Sequence, residues 1–356
     1  MLKIGNKFLT REEIKRYFGS LHQVAGLKRF TYQEGKADGV KAVECRTGTG
    51  LRYHVLLSRG MDIGFCEYRG IPINFRSAVG ESSPMYFEAT GDEWLRNFGG
   101  GLLVTCGLNY LGAPDIDQGE SLGLHGRISN IPAEEISLDS IWNGDECTFL
   151  VKGKIREAKT LSSHLLISRK ISSKLGENKI ILQDTISNEG FHKSPLMLLY
   201  HFNIGHPVLD KESRLYTPSL QVIPRDKQAE KDMDKYNYYS APELNYPDTV
   251  FYHQLKTDAT GWSRAALVNS EKNLGICIYY DSHYLPHFIQ WKFLEMGNYV
   301  AGLEPSNCLL EGRSKERKQR SLVYLEPGER QVIQLEIGLL TSSNDIEKEI
   351  KNIENF

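Results

Sequence analysis

Apolar positions in this chain fall in short β-rich runs separated by turn residues, with no long helical period between them. "HLLISRKISSKLGENKIILQDTISNEG" (164–190) reads as two strands around a Gly-Glu-Asn turn. "RAALVNSEKNLGICIYYD" (264–281) repeats that hairpin plan, and so does "SLVYLEPGERQVIQLEIGLL" (321–340), turning at Glu-Pro-Gly-Glu. Helical signals are confined to the two ends. Near 10–18, Thr10 and Glu13 make a capping-box pattern, with Ile14 and Phe18 four apart on one face. Over 343–355, Ile346, Ile350 and Ile353 recur at helical spacing behind a Ser/Asn/Asp start. This argues against a doubly wound sheet. It predicts an all-β fold, a large antiparallel two-sheet sandwich spanning 1–356 as one domain, with short terminal helices. The polar stretch 224–249 reads as an excursion from the sheet: a lid, an oligomer contact or a solvated insertion.

Composition narrows the class. Hydrophobic residues make up 40% and charged residues 25%, with a net charge of −2, so no basic excess points to nucleic acid. The six cysteines, at 45, 66, 106, 147, 277 and 308, contain no Cys-x-x-Cys and do not look like a disulfide framework. The N-terminal stretch lacks a signal-peptide apolar core, and no run approaches the roughly twenty apolar residues of a membrane span. The expectation is a reduced, cytoplasmic protein.

Walker A, Gly-x-Ser-x-Gly and His-Glu-x-x-His signatures are all missing. Polar residues in unusual settings gather at five places. "SRGMDIG" (58–64) sets Arg59 after an apolar run, where its fork would hold hydroxyls or an anion, or pair with Asp62. The triple glycine of "WLRNFGGGLLVTCGLNYLG" (94–112) allows close backbone approach, to a ligand or to a neighbouring strand. "LGLHGRISNIPA" (122–133) places His125 and Arg127 two apart, on one face if the backbone is extended, or in a solvated turn. "YHFNIGHP" (200–207) carries His201, Asn203 and His206. "HYLPHFIQWKF" and "AGLEPSNC" supply Gln290, Trp291 and Glu304, with Pro305 taken to end the strand beside the carboxylate.

Only one carboxylate stands out, whereas glycoside hydrolysis generally needs two. One histidine, with a pKa near ~6.5, and one glutamate suit a two-sided proton transfer. Opening and reclosing a sugar hemiacetal uses such a pair most simply, without a cofactor.

These residues also carry a resemblance. Arg-Gly-Met-Asp-Ile-Gly (59–64), Gly-Gly-Leu-Leu-Val-Thr-Cys-Gly-Leu (100–108), His-Gly-Arg (125–127), Tyr-His-Phe-Asn-Ile-Gly (200–205), Gln-Trp (290–291) and Leu-Glu-Pro (303–305) occur in an order that resembles the aldose 1-epimerase (galactose mutarotase-like) superfamily, in a poorly characterised branch. The resemblance implies a β-sandwich with a sugar cleft across one sheet. It implies His201 as general acid and Glu304 as general base. Arg59 and His125 would hold sugar hydroxyls, with Arg127, Asn203, Gln290 and Trp291 lining the pocket, and no metal. Trp291 would offer a stacking face, although a core indole fits equally. The better-known mutarotases have Asn-His-x-Tyr-Phe-Asn and Glu-Thr-Gln where this chain has Tyr-His-Phe-Asn and Glu-Pro-Ser, so the sugar is left open. Two other readings stay open. One is a metal-assisted sugar isomerase or lyase using His125, His201 or His206 with Glu304; the other is a carbohydrate-binding protein without turnover. The basic segment "GRSKERKQR" (312–320) reads as a solvated loop, or as the place where Arg313 reaches an anionic substituent on the sugar.

Overall fold

Alternating burial along the long strands shows how the sequence builds the sheets. In the strand Glu146–Ala158, from Cys147 to Glu157, every second residue is buried, as expected for a strand with one face on a core. The computed structural model describes residues 2–4 and 7–356. An eight-stranded antiparallel sheet runs through Glu134–Asn143, Glu146–Ala158, His164–Lys174, Lys179–Asn188, Arg330–Leu340, Leu274–Asp281, Trp262–Asn269 and Ser213–Tyr216. It packs against an eleven-stranded sheet whose middle is formed by His287–Glu295, Asn298–Ser306, Met197–Ile204, Leu103–Leu108 and Asp62–Tyr68. The fold is the predicted all-β antiparallel sandwich.

The first two hairpins form as expected, and so do the end helices Arg11–Tyr17 and Ser343–Glu354. Thr10 Oγ1 accepts from the Glu13 amide, and the Glu13 carboxylate accepts from the Thr10 amide. The third hairpin does not form. The chain turns at 326–329, but Tyr324–Leu325 pairs with Ser194–Pro195, while Arg330–Leu340 enters the eight-stranded sheet between two other strands. A turn signature alone cannot report which ladder each arm joins.

Met197–Ile204 is buried on both faces. Leu198, Tyr200 and Phe202 join the inter-sheet core, whereas Met197 and Leu199 join a second cluster on the opposite face of the large sheet. Loops from 75–100, 109–127 and 307–324 cover that outer face. The triple glycine serves this packing: Cβ atoms on Gly99, Gly100 and Gly101 would meet Gly80 O at 2.0 Å, Phe75 O at 2.7 Å and Gly64 Cα at 2.9 Å.

One buried network ties the sheets together. Arg169, on the smaller sheet, forks onto Asp184 at 2.9 and 2.7 Å and donates to Asp62 Oδ1 at 3.1 Å and to Gly60 O at 2.9 Å. Asp62 also accepts from the Thr105 amide and hydroxyl, and Tyr200 donates to Asp184 at 2.7 Å. No helix among the described residues is long and apolar enough to cross a membrane.

Candidate active site

The pleat decides which side chains reach the outer face of the large sheet. His201 shares parity with Leu199, and Glu304 with Val300, so both project there from adjacent strands. His201 Nε2 lies 3.3 Å from Glu304 Oε1. The ladder between their strands registers Leu199 with Ser306 and Phe202 with Leu303, and is interrupted at the intervening positions, where Pro305 offers no amide. Pro305 does not end the strand, which continues to Ser306. Gly302, two residues before Glu304, makes room for the carboxylate: a Cβ there would meet Glu304 Oε1 at 2.2 Å.

This pair lies on the floor of a cleft of about 540 Å³. Trp94, Phe98 and Phe75 form one side, and Trp291, Phe293 and Val250 another. The His201 ring meets Trp291 edge-on at 5.4 Å and lies 6.2 Å from the His125 ring, which is also edge-on to Trp94 at 4.9 Å. His125, His201, Trp291 and Glu304 therefore come together. At the rim, Asp248 accepts from Trp291 Nε1 and from Arg225 Nη2 at 3.1 Å.

The other expected residues do not line this cleft. Arg59 donates to Ser82 O at 2.6 Å and Asn97 O at 2.9 Å, bracing two loops; Asp62, its expected ion-pair partner, is held by Arg169 and Thr105. Arg127 parts from His125 because the backbone is a turn, with φ of 56° at His125 and 73° at Gly126. It lines a separate cavity of about 340 Å³ with Glu157 and Lys159. Asn203 is fully buried and donates to Gly101 O and His201 O. Gln290 alternates with Trp291 and so faces the other side of the sheet, where it bonds Tyr236 O, Tyr239 Oη and His253 Nε2. Those bonds and Lys292 to Lys235 O at 3.0 Å pack the 224–249 excursion onto the sheet, and it contains the short helix Lys227–Lys231. Only its ends, Arg225 and Asp248, reach the cleft.

His206 is exposed on the surface, which removes it from the proposed metal set. No group of three or more His, Cys, Asp or Glu among the described residues is placed to hold a metal ion. Arg313 is not in a solvated loop. It begins the helix Arg313–Gln319 and is buried, with its fork taken by Asp117 at 2.7 Å, Glu120 at 2.6 Å and Asn109 O at 3.1 Å. Each of its three nitrogens is bonded within the protein, and it does not line the cleft.

The environment disfavours charge on the floor pair. Burial, aided by His125, pushes the His201 pKa down to about 3. Burial, aided by Asp248, holds the Glu304 carboxyl well above its ordinary range. Neutral imidazole with carboxylic acid contains the same protons as imidazolium with carboxylate, so the two forms differ only in where one proton sits.

His253, on the opposite face of the sheet, is likewise pushed down by burial to about 4. An unfolded histidine titrates near ~6.5, so between that pH and about 4 the unfolded chain binds a proton that the folded chain refuses. Stability from this residue is therefore lost as pH falls through that window. Wild type and His253→Gln should draw closer in unfolding free energy by roughly 2 kcal/mol between pH 7 and pH 5, measured by urea titration. A constant gap would place the proton elsewhere.

Comparison with known proteins gives the fold a context. No curated protein matches the chain. Among solved structures, a "putative aldose 1-epimerase" from Klebsiella pneumoniae superposes with a TM-score of 0.89 at 24% identity, covering 92% of this chain and 87% of that one. A galactose mutarotase-like protein from Clostridium acetobutylicum gives 0.58 at 13%, covering 89% and 99%. Galactose 1-epimerase from Lactobacillus acidophilus gives 0.58 at 11%, with the same coverages. The family described as a domain of unknown function, DUF4432, matches residues 37–339. The chain thus has the galactose mutarotase-like fold and belongs to the DUF4432 family.

Proposed function

We propose that this protein is an aldose 1-epimerase-like enzyme that interconverts sugar anomers by general acid–base ring opening and reclosure. The observation that carries the reading is the His201–Glu304 pair, 3.3 Å apart on the floor of an aromatic-walled cleft. The Glu304 carboxylate removes the proton from the anomeric hydroxyl, and His201 gives its proton to the ring oxygen. The C1–O5 bond breaks to leave an open-chain aldehyde. The pair is then neutral imidazole and carboxylic acid. Rotation about C1–C2 and the reverse transfers close the other anomer. Trp291 offers a face to sugar C–H groups, and His125 stands beside the pair to hold a hydroxyl.

The test is NMR exchange or polarimetry on freshly dissolved aldoses. Wild-type protein should accelerate anomer exchange of at least one sugar; binding that raises thermal stability without accelerating any would support a carbohydrate-binding protein instead. Gly302→Ala supplies a second test. Its methyl would occupy the space of Glu304 Oε1 and press on Trp291 Cβ at 2.9 Å, so exchange should fall by about 10²-fold or more although no acid or base is removed. Wild-type rates in a folded Gly302→Ala protein would contradict the assigned position of the base.

A further inference from the structure

Most polar groups around the cleft are already bonded within the protein. Ser77 Oγ donates to Phe98 O at 2.6 Å. Asp248 lies between Trp291 and Arg225, and Arg225 Nε also reaches Asp226 at 3.2 Å. Arg59, Asn203 and Gln290 are turned into the fold. Among the cleft-lining residues, the buried polar atoms without a hydrogen bond are His125 Nδ1, His201 Nδ1 and Glu304 Oε1, the last facing His201 Nε2 at 3.3 Å, all on one patch of the floor. Away from that patch the lining is mostly apolar, with Phe75, Val79, Leu95, Phe98, Phe293 and Leu310, and its other polar members are Ser77, the Arg225–Asp248 pair and the exposed Asn298.

Hydrogen-bonding capacity is thus concentrated where the anomeric carbon and ring oxygen must sit, and is scarce elsewhere. A hydroxyl carried onto the apolar walls loses water and gains no protein partner. From this distribution we infer that the sugar has an apolar edge remote from its anomeric carbon, a reducing deoxy sugar of which the 6-deoxyhexoses are the simplest. The inference rests on the proposed acid–base activity and specifies its substrate class. In a 6-deoxyhexose a methyl replaces the hydroxymethyl group, removing one hydroxyl that would need a partner and adding a group that packs on aromatic and aliphatic walls. Apolar pockets discriminate modestly against an added hydroxyl, so the expected preference is roughly 10- to 100-fold.

The experiment compares matched pairs in both D and L series: galactose with fucose, mannose with rhamnose, and glucose with 6-deoxyglucose. Wild-type kcat/KM for anomer exchange is measured by NMR, with Glu304→Ala as the background. A deoxy sugar exchanged roughly 10- to 100-fold more efficiently than its parent in at least one pair supports the inference. Parents exchanged as well or better in every accelerated pair overturn it and leave the acid–base reading standing. If wild type accelerates no sugar above the Glu304→Ala background, the acid–base reading fails. Thermal shifts with the same pairs then decide the specificity: a larger rise in Tm with the deoxy sugars supports it, and equal or smaller rises overturn it.

Discussion

His201→Ala and Glu304→Ala are each expected to slow anomer exchange by about 10²–10⁴-fold, the usual worth of a positioned acid or base. The double variant should cost little more than either single one. In the proposed cycle one group takes a proton as the other gives one, and residues that act as a unit lose function non-additively. Glu304→Gln separates chemistry from scaffolding. It keeps the shape of the side chain and removes a carboxyl whose folded-state pKa lies well above its unfolded value. Such a group costs stability as pH rises above the unfolded carboxylate pKa near ~4.3, because the unfolded chain gives up the proton more readily. At pH 7 the glutamine variant should therefore unfold at a temperature equal to or above wild type while its exchange rate collapses. Scanning calorimetry beside NMR exchange checks both halves. A Glu304→Gln protein that loses activity only in proportion to lost stability would mark the residue as structural.

The second large effect is on the scaffold. Arg169→Met is expected to destabilise the protein by about 3–5 kcal/mol, the range found when one member of a buried charge network is removed. Asp184 and Asp62 would remain buried, and Gly60 O would lose its donor. The network joins the two sheets and reaches Tyr200, the neighbour of His201 in the chain. Urea unfolding should show a lowered midpoint with an unchanged slope. Exchange per folded molecule should fall far less than in the His201 or Glu304 variants. A midpoint shift equivalent to less than about 1 kcal/mol would mean that the network is dispensable, as an exposed pair often is.

Short-range features of this chain were legible before the structure. The Thr10–Glu13 capping box, the isoleucine spacing near the C-terminus and the two tight hairpins each depend on residues a few positions apart. The all-β class followed from them. Long-range partners were not legible. Arg313 reads as solvated from its charged neighbours, yet its carboxylates come from residues 117 and 120, nearly two hundred positions earlier. Gln290 and Trp291 were expected together, and strand alternation, knowable from their adjacency, should have separated them. Trp94 and Phe98 were visible four apart ahead of the triple glycine, but the glycines drew the functional reading. Arg225 and Asp248 lie at the two ends of a polar excursion whose closure no local pattern encodes.

Gly302 leaves the Glu304 carboxyl its space by lacking a carbon. A single codon change there would push the carboxylate aside and crowd Trp291 Cβ at 2.9 Å, while Trp94 and Phe98 go untouched. On the proposed function, the expected product still binds sugar and exchanges its anomers about 10²-fold or more slowly. On this fold, a catalyst and a lectin would then stand one methyl group apart.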